Sequence, residues 1–159
     1  MSKPTKKNAN VDDVLLSRRD PPEYYIAILN RQIKDGMDAA LRPHDLKLVD
    51  WRILQSLELE MPLSICDLSK RTVIERTITS RLVDQLVSRG LVEKKPMGTD
   101  RRFSLVSLTD AGMAKLDETS PSVDAVRSKL FHGFSIREHQ TLVRLLKNIV
   151  SNGYQHLPV

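Results

Sequence analysis

Residues 98–112 read GTDRRFSLVSLTDAG, and the rest of the chain is best interpreted outward from this stretch. Its first three residues are typical of a turn, and FSLVSL is typical of a short strand. Thr109 then predicts the N-cap of a helix that begins DAGMAKLDE. Arg101 and Arg102 therefore stand beside the tip of a hairpin formed with the preceding run LVEKKP. Two arginines in this place indicate either a solvated turn or a basic finger that contacts a negatively charged partner.

Two helices are predicted directly before the hairpin. Ser64 is the expected N-cap of a short helix over LSICDLSKRT, and Gly90 is the expected end of a second helix over IERTITSRLVDQLVSRG. In the second helix one apolar stripe recurs in steps of four and is expected to be buried, with two valines beside it: Ile74, Ile78, Leu82 and Leu86, then Val83 and Val87. Two helices followed by a two-stranded hairpin predict a winged helix-turn-helix over residues 46–117.

Longer apolar stripes lie on both sides of this unit. Residues 26–41 are apolar at three- and four-residue steps, which predicts a helix that begins at the prolines 21–22 and ends near Arg42. Asp45 is the expected N-cap of the next helix. After the hairpin, the helix beginning at Thr109 is expected to be interrupted at the run TSP, and Ser135 to cap a last helix. The fold class is thus mainly α with a small β-hairpin wing.

Composition limits the function classes. The chain has 159 residues, a formal net charge of +5 and a single cysteine. Residues 1–20 are polar and are expected to form a flexible basic tail. No apolar run approaches the length of a membrane span, and no Cys/His cluster, phosphate loop or nucleophile motif is present. We therefore expect a cytoplasmic protein that is not an enzyme, has no metal or cofactor, and does not contact a membrane.

The positive charge is concentrated where DNA would be contacted. Residues 71–102 hold eight basic and four acidic residues, which gives +4 of the chain's +5. We expect double-stranded DNA to meet the polar side of the second helix and the hairpin, through Arg76, Thr77, Thr79, Ser80, Arg81, Lys94, Lys95, Arg101 and Arg102. Asp100 is expected to brace Arg102, and the N-terminus of the helix to attract a phosphate. A polar, solvated helix face is the alternative interpretation.

The two stretches LSICDLSKRTVIERTITSRLVDQLVSRGLVEKKP and DRRFSLVSLTDAG together resemble the MarR family of winged-helix transcription regulators. The resemblance implies a homodimer whose intertwined helices would come from residues 21–45 and 118–159. It also implies binding to palindromic operators, usually as a repressor. The implied effector is a phenolic or other aromatic compound, or an aryl or acyl thioester of coenzyme A, that releases the DNA.

Trp51, Cys66 and the function of the whole chain each have two interpretations. Trp51 is a tentative effector contact because the resemblance implies an effector near its helix, although core packing is the simpler role. Cys66 is either a redox sensor or a buried structural residue, and its place in the sequence favours the second. The alternative function is a winged-helix module for architectural DNA binding or protein interaction, without a small-molecule effector.

Overall fold

A computed structural model of the protein describes residues 21–97 and 100–156, leaving aside the side chains of residues 97, 100–103 and 156. Within this part of the chain the helices are α1 Pro22–Leu41, α2 Leu48–Leu59, α3 Ile65–Thr72, α4 Arg76–Ser88, α5 Asp110–Leu130 and α6 Ile136–His156. The strands are β1 Leu63–Ser64, β2 Val92–Met97 and β3 Asp100–Leu108. The predicted order of four helices, a hairpin and two helices is confirmed. The predicted tail, residues 1–20, lies outside the described residues.

The wing is a three-stranded antiparallel sheet and not only a hairpin. Its strand order is β1–β3–β2, and β1 pairs with β3 through Leu63 opposite Val106 and Ser64 opposite Leu105. The two-residue strand β1 is too short to show an alternating pattern of its own, so it could not be predicted from the sequence. Because β1 leads directly into α3, this pairing attaches the wing to the helix-turn-helix.

The start of α2 differs from the expectation. Asp45 does not cap this helix; it has a left-handed backbone, with φ of 55°, and ends a 3-10 turn at Arg42–His44. The helix begins at Leu48, and the carboxylate of Asp50 accepts the N–H of Lys47 at 3.1 Å. Asp50, the third residue of the helix, therefore caps it in place of Asp45.

Helix α5 continues without a break through the run TSP. Thr109 caps it as predicted, since its hydroxyl oxygen accepts the N–H of Gly112 at 3.1 Å. Pro121 lies inside the helix and lacks the N–H that would bond one turn back. The buried residues Thr119 and Val123 flank this proline, and α1 packs along the helix. The predicted interruption is therefore wrong, because packing on both sides of Pro121 holds the helix together.

The core lies where α2, α3 and α4 meet the sheet and the first half of α5. Its fully buried residues are mostly leucines and valines, as the low aromatic content predicts: Leu41, Ile53, Leu54, Leu57, Leu68, Leu86, Val83, Val92, Val106 and Val123. Within the described chain, α6 does not pack extensively against any other element. Ser135 caps α6 as predicted, because its hydroxyl oxygen accepts the N–H of Glu138 at 3.3 Å.

Val73 occupies an unfavourable backbone conformation in the turn between α3 and α4. Its φ is 55° and its side chain is 86% exposed, so a β-branched residue adopts a left-handed conformation with little packing in return. We expect Val73→Gly to raise the free energy of unfolding by about 1 kcal/mol, because relief of strain exceeds the entropy that glycine adds to the unfolded chain. Urea unfolding measures this change. Val87→Gly, inside α4, is the control and should lower stability; a loss at both positions would contradict the strain at Val73.

Candidate nucleic-acid interface

The N-terminus of α4 is capped by an acid of the chain itself. The Glu75 carboxylate accepts the N–H groups of Thr77 at 2.9 Å and Ile78 at 3.2 Å. These hydrogen bonds, first that from the Thr77 backbone, hold the pKa of Glu75 below its usual value. The expected phosphate site at this terminus is therefore wrong, because Glu75 already occupies two of its N–H donors and places a negative charge there.

The buried face of α4 is rotated by part of a turn from the predicted one. The buried residues are Thr79, Val83 and Leu86, while Ile78 is 41% exposed. Thr79 is fully buried and its hydroxyl donates to the carbonyl oxygens of Ile74 at 3.2 Å and Glu75 at 3.0 Å. The expectation that Thr79 contacts DNA is therefore wrong. Steps of four advance about 400° around a helix, so a line of such steps drifts off one face.

The other candidates on α4 lie where the prediction placed them, on the outside of the helix. Arg76, Thr77 and Arg81 are exposed, and Ser80 is half-buried. Among the described residues, neither Arg76 nor Arg81 has a carboxylate within 4.0 Å, so both guanidinium groups are available to a phosphate or a guanine edge. Sequence reasoning missed Ile78, whose exposed apolar side chain beside Thr77 suits a thymine methyl group. An apolar residue one position before a buried threonine is the signal that would have found it.

The lysines of β2 are held by neighbouring acids. The Lys94 ammonium lies 2.7 Å from the Asp84 carboxylate of α4, and the Lys95 ammonium lies 2.6 Å from that of Glu93. Lys94 therefore joins the wing to α4, and its charge is partly neutralised. Lys95 is the more exposed of the two.

The remaining wing candidates cannot be placed as side chains. Asp100, Arg101 and Arg102 belong to the backbone of β3, where Asp100 is opposite Met97 beside the turn. Their side chains lie outside the described residues, as do residues 98–99. The basic finger and its brace stay predictions.

Trp51 is part of the core. It is 7% exposed, and the Arg127 guanidinium lies over its ring, 5.4 Å from the centroid. It does not line the cavity of about 890 Å³ between α1, the start of α2 and the end of α4, so the tentative assignment of Trp51 as an effector contact is not supported by its position. Cys66 lies in the first turn of α3 as expected, but it is half-buried rather than buried.

A cavity of about 890 Å³ opens between α1, the start of α2 and the end of α4. Its lining is rich in charge, with five basic and three acidic residues: Lys34, Arg42, Lys47, Arg52 and Arg89, then Asp38, Asp45 and Asp50. The Lys34 ammonium is paired with Asp38 at 2.7 Å, and this hydrogen bond raises the pKa of Lys34. The cavity therefore has an excess of positive charge next to the C-terminal end of α4.

Comparison with known proteins agrees with this arrangement of helices and sheet. A family model described as the MarR family matches residues 44–102, which run from the end of the 3-10 turn before α2 into β3. A crystal structure of a MarR transcriptional regulator from Silicibacter pomeroyi is 26% identical, with a TM-score of 0.74 over 96% of this chain and 98% of that chain. Residues 44–102 thus match the MarR family, and the described part of the chain has the fold of MarR-family regulators.

A second MarR-family structure bears on DNA binding. A mutant of MarR from E. coli, complexed with operator DNA, is 25% identical to this chain with a TM-score of 0.73. The match covers 89% of this chain and 99% of that protein. The chain thus shares its fold with a MarR protein that binds operator DNA. Among its described helices, none has the length and apolar character needed to cross a membrane.

Proposed function

We propose that this regulator is a homodimeric repressor that binds a palindromic operator and releases it when a small molecule binds. The small molecule is an aromatic (phenolic) compound or an aryl or acyl thioester of coenzyme A. DNA recognition is assigned to the outer face of α4 and to the wing. The observation that carries the proposal is the pair of exposed arginines, Arg76 and Arg81, on the outer face of the second helix of a helix-turn-helix, neither of them within 4.0 Å of a carboxylate among the described residues.

The dimer is supported by apolar surface that the single chain leaves uncovered. Along α6, seven apolar or aromatic residues are between 37% and 80% exposed: Ile136, Val143, Leu145, Leu146, Ile149, Val150 and Tyr154. Leu142 on the same helix is half-buried. Tyr24, Ile26 and Ile28 at the start of α1 are also exposed. A 21-residue amphipathic helix is not stable in isolation, so a second copy of the chain is the natural partner for this face.

An effector is supported by the cavity of about 890 Å³, which is in the size range of small-molecule sites. Its excess of basic residues favours an anionic ligand, such as an aromatic acid. A regulator with the same fold, BpsR of Bordetella bronchiseptica, has its DNA binding regulated by 6-hydroxynicotinic acid. That protein is 24% identical to this chain, so its likeness concerns the fold, and the support for an effector comes from this chain's own cavity.

Arg81→Ala tests the assignment of α4 as the recognition helix. We expect operator binding to weaken by about 1–3 kcal/mol, while binding to random DNA changes less, because the guanidinium would contact a base edge. Fluorescence anisotropy with operator and random duplexes measures both affinities. Lys95→Ala removes the same charge from the wing and should weaken binding to the two duplexes about equally. An equal loss on both duplexes for Arg81→Ala would make Arg81 a phosphate contact and contradict base recognition by this face.

A further inference from the structure

Ile78 is an exposed apolar residue in the first turn of α4. Its side chain is 41% exposed, and within the described chain it belongs neither to the buried core nor to the partly buried hydrophobic residues that pack against that core. The next residue, Thr79, is fully buried, so Ile78 lies at the boundary between the buried and the outer face of the helix. Packing within the single chain therefore does not account for an isoleucine at this position, and its apolar surface is available to a partner.

The side chains beside Ile78 are polar and belong to the surface assigned to DNA. Thr77 precedes it, and Arg81, three residues further along α4, lies on the same side of the helix. Both of these residues are exposed. Ile78 is therefore an apolar side chain within a polar and positively charged surface, and a ligand that covers this surface contacts all three residues.

The backbone at Ile78 is held in place before any ligand binds. The Glu75 carboxylate accepts the N–H groups of Thr77 at 2.9 Å and Ile78 at 3.2 Å. A β-branched side chain in a helix has one strongly preferred χ1 rotamer, so Ile78 loses little conformational freedom when it is contacted. The Glu75 carboxylate also repels phosphates, which favours an arrangement in which this end of α4 faces base edges rather than the phosphate backbone.

An apolar side chain in the major groove distinguishes bases by their methyl group. Thymine is the one standard base that presents a methyl group there, at C5, whereas the edges of adenine, guanine and cytosine present hydrogen-bond donors and acceptors. Isoleucine cannot pair with those polar groups, and a donor or acceptor that is buried without a partner is costly. A thymine methyl group, by contrast, gains from contact with Ile78 because apolar surface of both is removed from water.

We propose that Ile78 binds the C5-methyl group of one thymine in each half-site of the operator and is thereby a determinant of sequence specificity. This inference rests on the proposed function, in which the outer face of α4 recognises DNA. Because the methyl contact involves no charge, it adds to the discrimination between sequences and leaves the phosphate contacts unchanged. Ile78 therefore contributes to the affinity for the operator and not to the affinity for random DNA.

Replacement of thymine by uracil in the DNA tests the contact, because the two bases differ only in the C5-methyl group. Operator DNA is first selected from random-sequence duplexes with the wild-type protein, and each thymine is then replaced in turn, in both half-sites. At one thymine the replacement should lower wild-type affinity about fourfold per half-site, and about fifteenfold for the whole operator, as expected for the loss of one buried methyl group. Half-sites without thymine, or affinity that no replacement lowers, would overturn the inference.

Ile78→Ala connects the methyl group to this side chain. In that variant the same replacement should change operator affinity by less than about 1.5-fold, since the two changes remove the same contact. Val87→Ala is the matched control and should keep the full response to uracil. Val87 is also an exposed apolar residue of α4, at 37%, but it lies nine residues further on, about two and a half turns away and on the opposite side of the helix.

Fluorescence anisotropy with operator and random duplexes measures all of these affinities. Any effect of uracil on the DNA itself is common to the wild type and the variants, so the difference between their responses isolates the contact. Ile78→Ala should bind random DNA as tightly as the wild type does. An equal response to uracil in the wild type and Ile78→Ala would overturn the inference, and so would an equal loss of Ile78→Ala on operator and random DNA.

The same experiments separate the inference from the function on which it rests. A wild-type protein that enriches no DNA sequence overturns the proposed function and this inference with it. A wild-type protein that enriches an operator, but binds its uracil-substituted forms equally well or responds to uracil as Ile78→Ala does, overturns the inference alone.

Discussion

The double substitution Leu146→Asp and Ile149→Asp should convert the protein to a monomer and lower operator affinity by about a hundredfold or more. Both residues are on α6, and their side chains are 38% and 53% exposed in the single chain. In the proposed dimer they lie in the interface, where two buried and unpaired carboxylates per chain cannot be accommodated. Each recognition helix would then bind a half-site alone and lose the gain that comes from linking two contacts.

Light scattering measures the oligomeric state, and titration of the selected operator measures the affinity. The wild type should have about twice the chain mass of 18.1 kDa. Asn148→Asp is the matched control, since it adds a negative charge to the polar side of the same helix and should leave a dimer with unchanged affinity. A double variant that remains a dimer would show that α6 is not in the interface.

Gly112→Ala should destabilise the fold by about 3 kcal/mol, close to the upper end of what a single added methyl group does in a packed site. A Cβ on Gly112 would lie 2.0 Å from the backbone oxygen of Leu91 and 3.1 Å from a methyl group of Leu108. The Leu91 carbonyl cannot easily move away, because it accepts the N–H of Thr109 at 3.2 Å and Leu91 itself donates to Leu86. Helix α5 would have to shift away from the end of α4.

Urea unfolding at fixed pH measures the loss, and Gly36→Ala is the control. Gly36 lies in α1, and a Cβ there would meet only a side-chain methyl group of Val126, at 3.1 Å. Since alanine favours a helix by up to about 1 kcal/mol over glycine, this change should be close to neutral or stabilising. Equal stability of Gly112→Ala and the wild type would contradict the close approach of α5 to Leu91.

The order of the elements could be predicted from the sequence because local signals are strong in this chain. Ser64, Thr109 and Ser135 all cap the helices expected of them, since each hydroxyl stands three residues before a backbone N–H that needs an acceptor. Gly90 follows α4 with a positive φ of 72°, as its place after the apolar stripe indicates. Such features depend on a few neighbouring residues.

Features that depend on distant residues could not be predicted. β1 forms because Leu63 meets Val106 of β3, and α5, which packs along α1, continues past the exposed Pro121. The prediction that Thr79 contacts DNA was wrong because the sequence does not distinguish an exposed threonine from a buried one. The hydroxyl of Thr79 is satisfied by the backbone carbonyl of Glu75, which allows the side chain to be buried. Arg89 contacts Asp50, about forty positions away in the sequence, and no periodicity brings these two residues together.

Selection of duplexes from random-sequence DNA, followed by the mass of the resulting complex, tests the central claim most directly. The proposed dimer should enrich a palindrome whose half-site centres are about one helical turn, roughly 10–10.5 base pairs, apart or a multiple of that spacing. The complex should contain two chains for each duplex. Enrichment of no sequence, or of an asymmetric half-site bound by one chain, would contradict the account of this protein as a dimeric operator-binding regulator.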